Sequence, residues 1–209
     1  MIKTTGMLLD ELSNYRAPYD KIASLCASGA LYPVIKGIYE TDPTVPGYLL
    51  APVIYSPSYL SFDYALSRHG LIPERVQEYT SATCSKGKKK LYNNGFGCYS
   101  FRDIPAAAYP CEIELREENG YAYFIASPEK AICDKLYICP TVANRKQLEL
   151  LLFDDLRIDR STFNSLNATT IAELDALYRC KNIHHLNAYM HGGRVSNGLQ
   201  DNCRTRPRE

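Results

Sequence analysis

Four charged side chains with the clearest capacity for chemistry lie in the stretch FIASPEKAICDKLY, residues 124–137. They follow an apolar run and fall within seven residues: Glu129, Lys130, Asp134 and Lys135. A metal-dependent nuclease would need an aspartate and, on a neighbouring strand, an Asp/Glu-x-Lys pair to hold a divalent cation. The relevant strands offer no such pair, because their glutamates alternate without a lysine. A metal-dependent nuclease or transferase is therefore the least favoured alternative.

The same stretch has the pattern of a strand followed by a capped helix. Ser127 suits the N-cap, Pro128 the first helical position, and Glu129 the positive end of the helix dipole. Lys130 and Asp134 are four residues apart, and we predict that they pair on the helix surface for about 0.3–0.5 kcal/mol. We therefore predict a helix start and assign no catalytic residue.

A run of lysines in SKGKKKL, Ser85–Leu91, is a second candidate site; its members are Lys86, Lys88, Lys89 and Lys90. One interpretation is a solvated turn between strands. The other is a phosphate-binding patch, in which each real contact would steepen the salt dependence of DNA binding by about one unit. The sequence leaves both open.

Residues 1–45 are predicted to form a first unit with a winged helix-turn-helix outline. Apolar spacing indicates helices over Leu8–Asn14 and Tyr19–Ser28, followed by a small hairpin or edge strand over residues 31–39. Its candidate DNA contacts are Arg16, Tyr19, Lys21 and Lys36. Residues 1–40 hold four basic and four acidic side chains, so their charges cancel.

Residues 46–193 are predicted to form a second, α+β unit, reached through the Pro- and Gly-containing linker Thr41–Tyr48. Ser61 can cap its first helix. Strands are expected over Val76–Thr83, Lys89–Tyr92 and Phe96–Phe101. In CEIELREENGYAYFIAS apolar and charged residues alternate, and Asn119-Gly120 favours a tight hairpin turn. This pattern predicts an antiparallel sheet covered on one side.

The remainder of the chain is predicted to be helical and then disordered. Leucine and isoleucine stripes indicate helices between residues 148 and 177, and a last helix ends at Gly192-Gly193. Residues 194–209 are polar and contain Gly and Pro, so a disordered tail is expected. Cys180, His184 and His191 have nominal helical spacing, but no carboxylate completes a metal set. We therefore predict no metal site and no cofactor.

Composition limits the possible function classes. The 209 residues carry a formal charge of +1, so nucleic-acid binding would have to rest on a local patch. There is no apolar run of signal-peptide or membrane-spanning length, and the eight cysteines form no Cys-x-x-Cys pair. From these features we expect a cytoplasmic protein without a membrane partner.

The order of four motifs resembles the AbiEi antitoxins of type IV toxin–antitoxin systems. These motifs are LLDELSNYRAPYDKIASLCASGALYPVIKGIY, SPSYLSFDYALSRHGLIPERV, IASPEKAICDKLY and DDLRID. The resemblance extends to about residue 190. It implies a bacterial protein with an N-terminal winged helix and an antitoxin domain over residues 46–193. The first of the three helices expected in such a winged helix is missing or very short here.

The resemblance also implies partners and an activity. Such antitoxins are non-enzymatic, repress their own operon by binding its DNA, and counter a nucleotidyltransferase-like toxin without requiring a stable complex. A homodimer on an inverted repeat in the promoter would match the symmetry common among repressors. The alternative is a protein-interaction module, in which a tyrosine-rich sheet face docks another protein and the winged unit has lost DNA binding.

Overall fold

The computed structural model describes residues 1–197, with side chains to residue 192. This part of the chain is mixed α+β, with nine α-helices, a three-stranded antiparallel sheet and a six-stranded mixed sheet. The α+β class predicted from the sequence is confirmed. Among the helices described, none is both long and apolar enough to cross a membrane.

The N-terminal unit alternates short strands and helices. Its elements are β1 (Ile2–Thr4), α1 (Thr5–Glu11), α2 (Pro18–Ala27), β2 (Tyr32–Ile35) and β3 (Ile38–Glu40). The sheet order is β1-β3-β2, and both pairings are antiparallel. Leu8, Ile22 and Leu31 form a small buried core of their own. Both predicted helices and the hairpin are present, but α1 begins and ends three residues earlier than predicted, and β1 was not predicted.

The segment predicted to be a linker, Thr41–Tyr48, is packed against the body of the protein. Val45, Gly47 and Tyr48 are buried, and a 3₁₀ turn over Gly47–Leu50 leads into α3 (Ala51–Ile54). A Cβ on Gly47 would lie 2.3 Å from the carbonyl oxygen of Phe96. Glycine is therefore needed there for close approach to the sheet, not for linker flexibility.

The larger sheet is mixed, so the expectation of an antiparallel sheet was wrong in part. Its strands are β4 (Tyr59–Leu60), β5 (Glu78–Thr83), β6 (Lys90–Asn94), β7 (Gly97–Asp103), β8 (Ile113–Glu118) and β9 (Tyr121–Ala126), in the order β6-β7-β5-β4-β9-β8. The hairpins β6–β7 and β8–β9 are antiparallel, as consecutive strands joined by short turns must be. The pairs β5–β7 and β4–β9 are parallel, and each joins strands that are not consecutive. Residue alternation within one strand does not reveal the direction of such a partner.

Six further helices complete the described chain. They are α4 (Phe62–Arg68), α5 (Pro128–Ile138), α6 (Arg145–Leu150), α7 (Arg160–Asn164), α8 (Ala168–Tyr178) and α9 (Lys181–Asn197), with a π-helical turn over Leu151–Asp155 after α6. Helix α5 packs against α4, α8 and α9 in the main core. Helix α9 continues past Gly192-Gly193, so the predicted helix end was wrong; glycine in a helix costs about 1 kcal/mol but does not forbid it. The predicted disordered tail, residues 194–209, overlaps α9 up to Asn197, and its remainder lies outside the described residues.

The tyrosine-rich sheet face is covered, which corrects the docking surface suggested from the sequence. Tyr48, Tyr99 and Tyr123 are buried, and neighbouring rings contact one another edge-on or tilted, as in Tyr48–Tyr123 at 5.5 Å and Tyr79–Tyr99 at 5.2 Å between centroids. Edge contacts of this kind stabilise by about 0.5–1.5 kcal/mol beyond area burial. These tyrosines build the core instead of an open interface.

Polar contacts join the N-terminal unit to the larger sheet. The Tyr121 hydroxyl donates to the buried carboxylate of Glu40 at 2.7 Å, and the Asn94 side-chain amide donates to the Val34 carbonyl at 2.9 Å. Burial alone would raise the pKa of Glu40, but hydrogen bonds from the amino group of Met1, from Tyr121 and from backbone N–H groups outweigh it and lower that pKa. The Glu40 carboxylate therefore stabilises the fold in its ionised form.

We expect the substitution Tyr121→Phe to lower the free energy of unfolding by about 1.5 kcal/mol near neutral pH, the usual cost of a hydrogen bond to a charged group. Because the folded-state pKa of Glu40 is depressed, its stabilising effect is present above the ordinary value of 4.5 and is lost as pH falls through the folded pKa. The difference in unfolding free energy between wild type and Tyr121→Phe should therefore become smaller at acidic pH. Urea unfolding at several pH values measures it, with Tyr19→Phe at an exposed ring as control; a pH-independent difference would contradict the assignment.

Candidate nucleic-acid interface and a buried lysine–aspartate pair

Helix α2 is held so that one face points away from the protein. Pro18 occupies its first turn, where a missing N–H costs nothing, and Ile22 anchors its inner face in the small core. Outside that buried face the helix exposes Tyr19, which is 66% exposed, and the small residues Ala23 and Ser24. Side chains this short would let another surface approach the helix backbone closely.

The predicted contacts of the N-terminal unit are all accessible, although they do not form one cluster. Arg16 is exposed in the loop before α2, and Lys21 lies over the Tyr15 ring with Nζ 5.3 Å from its centroid. Lys36 is exposed in the β2–β3 turn, where the next residue, Gly37, accepts a hydrogen bond from the Thr5 N–H at the start of α1. Lys36 therefore lies beside α1, on a different element from Arg16 and Lys21.

Ion pairing leaves few free cations in this unit. Lys3 is neutralised by Glu11 at 2.5 Å, whereas Arg16, Lys21 and Lys36 have no ion pair within the described residues. Exposed Asp20 lies in the first turn of α2, and its negative charge offsets part of the positive charge of these three residues. The local excess of positive charge is therefore small.

The lysine run lies away from the N-terminal unit. Strand β6 begins at Lys90 and ends at Asn94, whose side chain contacts the N-terminal unit; four residues of strand separate the two ends by about 14 Å. Lys86 is held in place, since its Nζ donates to the Ser56 carbonyl at 2.9 Å and lies over the Tyr55 ring. Lys88, Lys89 and Lys90 are exposed. The structure thus does not bring the predicted lysines next to α2.

Lys130 and Asp134 are buried, so the predicted surface pair was wrong. Both side chains have 0% exposure, and Lys130 Nζ lies 3.7 Å from Asp134 Oδ1. Helix α5 is covered by α4, α8 and α9, which leaves little of its circumference facing water. Their spacing of four residues was correctly interpreted as a pairing distance, but helical periodicity alone does not show which neighbours will cover that face.

The buried charges are satisfied by hydroxyl and carbonyl groups from distant parts of the chain. On Asp134, Oδ2 accepts from Ser61 at 2.5 Å and from Tyr59 at 2.9 Å, and Oδ1 accepts from the Tyr178 hydroxyl. Lys130 Nζ donates to the Ala108 carbonyl at 2.5 Å and to the Tyr178 oxygen at 2.7 Å. Tyr178 therefore bridges the ammonium and the carboxylate.

Burial shifts the pKa values of both charged side chains in this network. It raises the pKa of Asp134, although Lys130 and three hydroxyl donors act in the opposite direction, and it lowers the pKa of Lys130 despite the nearby carboxylate. Both shifts reflect the cost of charge without water. With no exposed atom on either side chain, the network cannot contact a substrate, so its role is to hold elements together.

The network joins the two motifs SPSYLSFDYAL and SPEKAICDKLY, which the sequence analysis treated separately. Ser61 stands at the predicted N-cap of α4, yet its hydroxyl makes no capping bond and points to Asp134 instead. On the outer side of the same two helices, Lys135 pairs with Asp63 at 2.7 Å. The signal available in the sequence was the apolar run Ala131–Cys133 between Lys130 and Asp134, which is unusual for a solvent-exposed helix.

The other features of the opening stretch agree with the prediction. Ser127 caps α5 by accepting from the Lys130 N–H at 3.2 Å, and Pro128 begins the helix. Glu129 accepts from the Asn167 N–H at 2.8 Å.

In the part of the chain that the structure describes, no three His, Cys, Asp or Glu residues are arranged to hold a metal ion.

Comparison with protein-family models and with curated proteins finds no match to this chain. The AbiEi resemblance therefore stays a prediction.

We expect Lys130→Met to destabilise the protein by about 3–5 kcal/mol, because it leaves the Asp134 carboxylate buried without its counter-ion. The double variant Lys130→Met/Asp134→Leu should recover part of that loss, since no unpaired charge remains. Chemical denaturation measures the effect, with Lys146→Met at an exposed position of α6 as a matched control. Equal stability of Lys130→Met and the control would show that the Lys130–Asp134 pair does not stabilise the fold.

Proposed function

We propose that this chain is an AbiEi-type antitoxin of a type IV toxin–antitoxin system and a DNA-binding repressor of its own operon. In this proposal it is non-enzymatic, acts in the bacterial cytoplasm, and counters a nucleotidyltransferase-like toxin without a stable complex. The observation that carries the DNA-binding part is the element order β1-α1-α2-β2-β3 with α2 presented outward. Strand, two helices and a two-stranded hairpin are the order expected of a winged helix that lacks its first helix.

The geometry of α2 supports a role as the recognition helix. Its ten residues span about 15 Å, a length that the major groove of B-DNA accommodates. Ala23 and Ser24 on the outer face would allow close approach, and Tyr19 and Lys21 lie near the helix N-terminus, which commonly contacts base edges. The β2–β3 turn with Lys36 takes the place of the wing.

The charge distribution sets the expected strength of binding. With Arg16, Lys21 and Lys36 as the unpaired cations of the unit, about three phosphates would be neutralised per subunit, giving a salt slope near −3. The lysine run would add to this only if the DNA extended along β6 for about 14 Å beyond the unit. A homodimer on an inverted repeat would double the slope and bring affinity into a useful range.

A protein-interaction module is the second candidate, favoured by the edge strand β8. Leu115 is 61% exposed and Phe124, its partner on β9, is 42% exposed, so two apolar side chains lie side by side on an open face. Strand β8 ends the six-stranded sheet, and free sheet edges can accept an additional strand from a partner. Co-purification with the product of an adjacent gene, together with no DNA binding, would favour this candidate.

Mobility shift on the upstream region of the protein's own operon tests the proposal. Wild type should retard this DNA at low salt, and Lys21→Ala and Lys36→Ala should each weaken binding and reduce the salt slope by about one unit for each subunit bound. Lys146→Ala removes an exposed positive charge elsewhere and should change neither quantity. No retardation at low salt by folded wild-type protein would remove the repressor function from the proposal.

A further inference from the structure

A polar pocket lies on the face of the large sheet opposite Tyr79 and Tyr99. Its volume is about 220 Å³, and it opens where β5 and β7 meet the start of α4 and the end of α5. Three cations from three separate elements line it: Lys89 before β6, Arg102 on β7 and Lys135 on α5. Lys89 and Lys135 belong to separate motifs in the sequence and Arg102 to neither, so their proximity is evident only in the folded chain.

Two of these three cations have no counter-ion. Lys135 is paired with Asp63 at 2.7 Å, and this pair forms one wall of the pocket. Arg102 is half-buried and Lys89 is exposed, and neither has an ion pair or a side-chain hydrogen bond among residues 1–192. A guanidinium that is partly withdrawn from water without a partner is suited to an anion that enters the pocket.

The loop that carries Lys89 is anchored to the residue next to Arg102. The Asp103 carboxylate accepts hydrogen bonds from the Lys86 and Gly87 N–H groups at 2.7 and 2.6 Å. It also accepts from the Thr83 hydroxyl at 2.6 Å. Adjacent residues of a strand point to opposite faces, so Asp103 fixes the loop on one side while Arg102 faces the pocket on the other. Lys89 is thereby kept near Arg102.

We propose that this pocket binds a phosphate group. Arg102 supplies a planar pair of N–H donors that fits a phosphate, Lys89 adds a point charge, and the Ser100 hydroxyl at the pocket wall can donate a hydrogen bond. Glu78 also lines the pocket, and its carboxylate would repel an anion. Removing that negative charge should therefore strengthen phosphate binding. The pocket lies near the Lys90 end of β6, whereas the N-terminal unit is contacted at the Asn94 end, about 14 Å away along the strand, so the pocket is a separate site from the proposed DNA contact at α2.

A phosphate group can come from a small phosphorylated compound or from a nucleic-acid backbone, and titration of the full-length protein distinguishes the two. Calorimetry with pyrophosphate probes the first source, and calorimetry with a short oligothymidylate that lacks terminal phosphates probes the second. Binding of pyrophosphate alone identifies a small phosphorylated ligand, whereas binding of the oligonucleotide alone identifies the phosphodiester backbone. Either result supports a phosphate site provided that the substitutions below alter it.

Arg102→Ala should weaken binding of the active probe at least tenfold, and Arg102→Lys should retain part of the affinity. Glu78→Gln should tighten binding severalfold, a gain that loss of folding could not produce. Lys146→Ala is the matched control and should bind as wild type does. Millimolar probe without detectable heat at low salt, or unchanged affinity in Arg102→Ala, would overturn the proposal. The Arg102→Ala variant should still retard the upstream DNA, so the phosphate-site proposal and the DNA-binding proposal can fail independently.

Discussion

The fold depends on keeping one ammonium and one carboxylate away from water. Lys130 and Asp134 are both fully buried, and isolated charges in such a position would each cost several kcal/mol. Their cost is offset by their mutual attraction, by the Ala108 carbonyl that accepts from Lys130, and by the hydroxyl groups of Tyr59, Ser61 and Tyr178 that converge on the carboxylate. These partners come from β4, the start of α4 and the end of α8, so the network requires all three elements to be in place around α5.

This requirement extends to the surfaces that we connect with function. The helices α4 and α5 that meet at Asp134 on the inside also present Asp63 and Lys135 on the outside, where they form a wall of the phosphate pocket. Strand β9 leads directly into α5 and carries Tyr121, which holds Glu40 of the N-terminal unit. The elements that hold the buried pair therefore also carry a wall of the pocket and a contact to the N-terminal unit.

Local signals in the sequence predicted local structure well. Ser127-Pro128 marks the start of α5, and the Asn119-Gly120 turn has the positive φ angles, 53° and 77°, that such a hairpin turn requires. Errors arose where distant segments decide the outcome. The parallel pairings of β5–β7 and β4–β9, the burial of Lys130 and the assembly of Lys89 and Arg102 with Lys135 all depend on contacts between residues far apart in the chain, which neither periodicity nor capping signals encode.

The most direct test of this account is a double-mutant cycle between Ser61 and Asp134, which belong to different motifs. The Ser61 hydroxyl oxygen lies 2.5 Å from Asp134 Oδ2. The free energy of unfolding is measured for wild type, Ser61→Ala, Asp134→Asn and the double variant. Because the side chains share a buried hydrogen bond, the account predicts a coupling energy of about 1 kcal/mol or more. Additive effects, within about 0.3–0.5 kcal/mol, would contradict the claim that this network ties the two motifs together.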